Sequence, residues 1–212
     1  MSRVFLLSPA NASGVRGRMV MNQEAEFDLA VRLRNKGALL GDLFAFISGL
    51  YFRGKFAYST AFAAPPPGVP GSLVITAGRG LLPPETLITF GDMRAIAGVP
   101  IDLDNPDYRD PLDRDASNLF RTLPADCDVV LLGSIATSKY IEPLLDIFGS
   151  RLKFPSEFIG RGDMSRGGLM LRCAQDGVEL DYIPAHAAVR RGRRPPKLPR
   201  LSRNSQSVTN SE

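Results

Sequence analysis

A chain of 212 residues that is 44% hydrophobic and 23% charged is long enough for one domain with its own core, and its composition excludes collagen-like, coiled-coil and wholly disordered classes. The net charge of +4 is unevenly spread: residues 187 to 212 hold seven of the 26 Lys and Arg against one acid, Glu212, so residues 1 to 186 sum to −2. The apolar runs, such as Val129–Leu132 and Leu169–Leu171, fall far short of the roughly 20 residues of a membrane span, and the N-terminus lacks a charged region followed by a long apolar run. A soluble cytoplasmic protein with no membrane partner is therefore expected.

In chain order, Arg3–Leu7 predicts a strand ended by Ser8-Pro9, and Asn11 to Gly17 a polar loop. Residues 23 to 35 predict an amphipathic helix. Leu39 to Ala64, the most aromatic segment, predicts two helices broken by Gly49 and Gly54 and stopped by Pro65-Pro66-Pro67-Gly68. Ser72–Ala77 predicts a second strand, Asp102 to Asp115 an acidic loop and Asp115–Leu123 a helix. Cys127–Gly133 predicts a third strand and Ser138–Phe148 a helix, with Pro143 confined to its first turn or two. Lys153–Phe158 predicts a short strand, Asp163–Cys173 a helix and Val178–Pro184 a last strand. This alternation predicts an α/β fold: one domain over residues 1 to 186, built on a mixed or mostly parallel sheet flanked by helices.

Residues 187 to 212, rich in Arg, Pro, Ser and Asn and almost devoid of apolar side chains, predict a disordered basic tail. Arg190, Arg191, Arg193 and Arg194 form a flexible polycation, which binds phosphates without reading sequence because each neutralised phosphate releases counterions. DNA is the expected partner, with a merely solubilising tail as the alternative, and no obligate protein partner is predicted. Cys127 and Cys173 have no metal-ligand spacing around them and read as buried thiols. His186 is the one histidine, so acid or base chemistry falls to carboxylates, and no metal or other cofactor is called for.

Three loops leave the carboxyl ends of predicted strands, the edge where ligands bind in open α/β sheets. They carry Ser8, Asn11, Ser13, Arg16, Arg79, Ser134, Thr137, Ser138 and Lys139, which suit an anionic ligand. A sharper signal runs from Gly160 to Gly168. Its glycines admit close backbone approach, a helix N-terminus begins near Asp163, and Arg161 and Arg166 add two guanidinium forks. It lacks the Lys-Ser/Thr ending of a phosphate-binding P-loop and the spacing of a Rossmann fingerprint. The plainer alternative makes Asp163 a helix N-cap with its arginines in surface ion pairs. Asp102, Asp104 and Asp107 either bind a divalent ion or activate water, or belong to a solvated, turn-rich loop, the reading favoured here.

Five blocks in order resemble the YaaA-type bacterial peroxide-stress family. They are Leu7-Ser8-Pro9-Ala10, Tyr51 to Phe56, Ile75 to Pro84, Ala136-Thr137-Ser138-Lys139-Tyr140 and Arg161-Gly162-Asp163-Met164-Ser165-Arg166. The resemblance spans almost all of residues 4 to 172. It implies an α/β fold with a basic cleft, DNA binding and protection of DNA, and it marks Ser8, Arg161, Ser165 and Arg166 as cleft residues. The chain departs from it at Asn11, where the family has lysine, at Arg79, where it has tyrosine, and at Asp163, where it has an apolar residue.

An acid beside two phosphate-type arginines suggests a DNA-binding cleft with a hydrolytic centre. The leading expectation is a DNA glycosylase-like enzyme that excises a damaged or modified base, in repair or phage defence. The base is flipped out and held by Asn11 and an aromatic wall including Tyr140. Asp163 or Asp104 stabilises the oxocarbenium-like sugar and orients water, while Arg161 and Arg166 hold flanking phosphates. The alternatives are a non-enzymatic DNA-binding stress protein and a nucleoside or nucleotide N-glycosidase.

Overall fold

The computed structural model describes residues 2–134, 138–187, 195, 196 and 198. Fully apolar runs make the central strands: β1 (Arg3–Leu7), β3 (Ser72–Thr76) and β6 (Asp128–Leu132) are buried over four of their five residues each. Strands buried on both faces read as continuous Val, Ile and Leu rather than as an alternation, which is the mark of a parallel sheet. The six-stranded sheet has the order β4-β3-β1-β6-β7-β8, with β7 at Leu152–Pro155. The pairs β1–β3, β1–β6 and β6–β7 are parallel. Two short strands, β4 (Gly80–Leu82) and β8 (Tyr182–Pro184), close the edges antiparallel. A separate two-stranded ribbon pairs β2 (Ala38–Leu39) with β5 (Leu87–Ile88).

The chain leaves β1 for β3 on one side and later returns past β1 to β6 and β7 on the other. The strand order therefore reverses between β1 and β6, and their carboxyl ends flank the crevice that this reversal opens. Helices cover the sheet on both faces. On one face α3 (Leu40–Ser48) packs on α4 (Leu50–Phe62), which in turn packs on α8 (Asp163–Asp176). On the other, α6 (Pro106–Thr122) contacts β3, β4 and α7 (Ser138–Phe148). Shorter helices α1 (Val15–Val20), α2 (Asp28–Lys36) and α5 (Phe90–Gly98) fill the connections.

The predicted α/β class holds, while several local expectations are corrected. Helix α1 begins inside the segment read as a loop, and α2 starts at Asp28 rather than at 23. Gly54 lies within α4; the break falls at Gly49 alone, whose φ of 59° ends α3. The acidic stretch is helical from Pro106 onward, because the Asn105 side chain accepts from the Asp107 N–H and Pro106 occupies the first turn. Pro143 falls in the second turn of α7, as expected. Val178–Pro184 shrinks to the three residues of β8, and Phe158 ends a 3₁₀ turn rather than a strand. Cys127 and Cys173 are buried free thiols. Among the described residues no helix is long and apolar enough to cross a membrane.

Helices α4 and α8 meet at two glycines. A Cβ on Gly54 would lie 2.5 Å from the Gly167 carbonyl oxygen, and one on Gly167 would lie 2.8 Å from Tyr51 Cα. The backbones therefore touch, with nothing flexible between them to yield. Gly54→Ala and Gly167→Ala are each expected to cost about 1–3 kcal/mol of stability, read as a lower urea midpoint by circular dichroism. An unchanged midpoint would show that the helices can part without loss.

Candidate active site

Ser8 is the first residue past β1. Its N–H donates to the Leu132 carbonyl at 3.1 Å, which holds it at the crevice between β1 and β6. Gly133 lets it in: a Cβ there would come within 2.8 Å of Ser8 Cβ and 3.0 Å of Ser8 Oγ.

Beneath Ser8 lies Lys55 of α4, a residue the sequence reading passed over. It is 0% exposed, and its Nζ donates to the Ser8 carbonyl oxygen and to Ser8 Oγ, both at 2.8 Å. The Tyr51 ring, one turn earlier, lies under the ammonium at 4.2 Å, and the Phe52 ring at 5.4 Å. Burial lowers the Lys55 pKa to about 7; Arg166 pushes it the same way and Asp163 opposes. A lysine in the middle of an aromatic stretch, on the same helical face as Tyr51, is a sequence signal that could have revealed it.

The close approach of α4 and α8 brings two predicted residues to this place. Arg166 is 8% exposed, and its Nε and Nη2 donate to the Phe158 carbonyl at 3.2 Å. Its Nη1 reaches Asp163 Oδ1 at 3.4 Å, with side-chain exposures of 9% for the arginine and 64% for the aspartate. Asp163 thus stands at the open N-terminus of α8, where Gly162 supplies no side-chain cap. The alternative reading of Asp163 as the N-cap residue fails, since it occupies the first turn. The Tyr51 hydroxyl is buried beside Arg166 and Asp163; burial holds its pKa well above the ordinary value, and the neighbouring Arg166 guanidinium opposes this. Tyr140 of α7 completes the group. Its hydroxyl is in hydrogen-bond contact with the Ser8 side chain and the Ser134 backbone, and burial raises its pKa.

Ser8, Lys55, Tyr51, Tyr140, Asp163 and Arg166 therefore form one polar cluster at the reversal point of the sheet. Arg161 and Ser165 border it: Arg161 Nε donates to the Glu157 carbonyl at 2.9 Å, and its Nη1 faces Ser165 Oγ at 3.4 Å. Other predicted residues lie apart or are engaged elsewhere. Asn11 is exposed, accepts from Ser13 Oγ and lines a small cleft with Phe44, Ile96 and Val99. Arg16 donates to the Phe46 carbonyl, and Arg79 is ion-paired with Asp92. Asp104 belongs to an exposed turn in which its own N–H donates to Asp102 Oδ1. The carboxylate whose charge bears on Lys55, Tyr51 and Tyr140 is that of Asp163. Lys139 has an exposed side chain, and its carbonyl accepts from Tyr108 Oη.

Thr137, Arg190, Arg191, Arg193 and Arg194 lie outside the described residues. Pro195, Pro196 and Leu198, from the segment expected to be disordered, border a groove beside Leu50, Arg161 and Gly168. No family model, curated protein or solved structure matches the chain.

The buried lysine leaves a signature in stability. Between pH 7, near which folded Lys55 titrates, and its ordinary value of 10.5, the unfolded chain keeps a proton that the folded chain has released. Stability contributed by this group therefore rises with pH across that window, by up to about 1.4 kcal/mol per unit. Urea midpoints from pH 7.5 to 9.5 should climb less steeply in Lys55→Met than in the natural chain; equal slopes would mean that Lys55 stays charged when folded.

Proposed function

We propose that the protein binds DNA and hydrolyses the N-glycosidic bond of a damaged or modified base. The observation that carries this reading is the Asp163 carboxylate, accessible at the α8 N-terminus and adjoining the buried group of Ser8, Lys55, Tyr51, Tyr140 and Arg166. Cleavage of a glycosidic bond builds positive charge on the sugar, and a fixed carboxylate stabilises it as it develops. Arg166 anchors Asp163 from the buried side. Arg161 sits nearer the surface and takes a flanking phosphate. Tyr140 offers an aromatic edge for the extruded base, whereas Asn11, expected to hold it, lines a separate cleft. The basic tail supplies sequence-independent attraction to the duplex.

Buried Arg166 has most of its donors committed to Phe158 and Asp163, so its part is to hold the site rather than to grip the backbone. Asp104 is the weaker carboxylate candidate, since the charge felt by the cluster is that of Asp163.

The test is incubation with duplexes carrying single modified bases and with matched unmodified ones, followed by alkali, which breaks strands at abasic sites. Breaks at the modified position alone are the expected result. Asp163→Asn should lower the yield by at least about 100-fold while sparing DNA affinity, and Asp104→Asn should change neither. Binding without breaks would turn the reading to a non-enzymatic DNA-binding protein, and turnover of free nucleotides alone would turn it to a small-molecule N-glycosidase. Binding itself is checked by salt titration. Arg161→Ala should weaken affinity on every sequence and lower the salt slope by about 0.9. Removal of residues 190 to 212 should flatten the slope further, and an unaltered slope in both variants would exclude these arginines from phosphate contact.

A further inference from the structure

We infer that Ser8 Oγ and Lys55 Nζ form a proton-transfer pair, in which the amine sealed beneath the serine accepts its proton while Ser8 faces the reacting molecule. The pair rests on the reading of the site as one of glycosidic hydrolysis and supplies what that reading lacks, a group to take the proton from the attacking water.

The geometry is that of a serine with its own base. Nζ is 2.8 Å from Ser8 Oγ and 2.8 Å from the Ser8 carbonyl oxygen, so in the neutral amine an N–H donates to the carbonyl and the lone pair is left to accept from the hydroxyl. Lys55 is wholly buried and Ser8 is 3% exposed, so the serine lies between the amine and any ligand. The charged and titratable groups facing the amine are Tyr51 on its own helix, Asp163 and Arg166 from α8, and, across Ser8, Tyr140 from α7. The lysine is a purely structural cation only if it stays protonated; a pKa of about 7 leaves much of it neutral at neutral pH.

In the reaction, the water oxygen bonds to the sugar carbon and the carbon–nitrogen bond breaks, with its electron pair departing on the base. One water proton passes to Ser8 Oγ as the serine proton passes to Lys55. The departing base takes a proton from solvent, and Lys55 returns one to it. Asp163 touches the sugar in this scheme, while Lys55 acts through Ser8 and is a positioning residue.

The experiment uses the full chain and a small electrophile, methanesulfonyl fluoride. A sulfur–Oγ bond forms, fluoride leaves and the proton goes to Lys55, so labelling reports serine activation without any DNA. Peptide mass spectrometry should find the adduct on Ser8, with a rate that climbs with pH about a midpoint near 7. Lys55→Gln should slow labelling about 100-fold. Asp163→Asn, at an exposed position, should move the midpoint to lower pH, because that carboxylate favours the protonated amine. The proposal is overturned if Ser8 reacts no faster than other serines, or if the midpoint lies above about 9, near an ordinary lysine. An unmoved midpoint in Asp163→Asn overturns it as well. Labelled Ser8 with no base excision from any duplex keeps the pair and removes the DNA reading. Excision at the natural rate by Ser8→Ala keeps the DNA reading and removes the pair.

Discussion

Contact between the backbones of α4 and α8 at Gly54 and Gly167 is the constraint on which the rest of the site depends. Two helices separated by ordinary side chains stand about 8–10 Å apart. At that spacing Lys55 and Tyr51 would be screened from Asp163 and Arg166 by a layer of carbon. With glycine facing glycine the layer is absent, and side chains from the two helices share one electrostatic neighbourhood. The same device recurs at Gly133, where the missing Cβ lets Ser8 sit against the end of β6. Small residues thus place the large polar ones.

The cluster is expensive to build. A lysine with no exposure gives up its hydration, and two hydrogen bonds to a single serine and the face of one tyrosine replace it only in part. The outcome is a displaced proton affinity rather than a fully stabilised cation. Arg166 is held by the Phe158 carbonyl and the Asp163 carboxylate. Tyr51 keeps its hydroxyl buried beside the Arg166 guanidinium. Perturbed groups gathered at the reversal point of a parallel sheet are what distinguish this place from an ordinary core contact.

Distance from the cluster separates the remaining loop residues. Arg79 is committed to Asp92, and Asp92 itself caps α5 through Thr89, whose hydrogen bonds hold its carboxyl below the usual range. Asp115 accepts from the Leu81 N–H and fastens α6 to β4. These charges, read from sequence as ligand chemistry or loop solvation, are structural fastenings between neighbouring elements. The Pro196 carbonyl accepts from Arg161 Nη1 at 3.5 Å, so this residue of the basic C-terminal region borders the site.

The sequence alone determined the elements whose burial is written in unbroken apolar runs. Val129–Leu132 can be stable only inside a sheet covered on both faces, and Ser138–Phe148 has the spacing of a half-buried helix. It misjudged residues 106 to 114 because acidic residues crowd the outer face of α6. The inner face, with Tyr108, Leu112, Ala116 and Leu119 at helical intervals, was present all along. Ser8, Tyr140, Asp163 and Arg166 were legible as candidates from loop position and residue type. Only the tertiary structure decided that they meet, that Asn11 and Asp104 stand elsewhere, and that Lys55 belongs among them. The reason is that a lysine's protonation and reach depend on what surrounds it in space, and beyond Tyr51 and Phe52 of its own helix the groups around it come from segments 47 and more residues away.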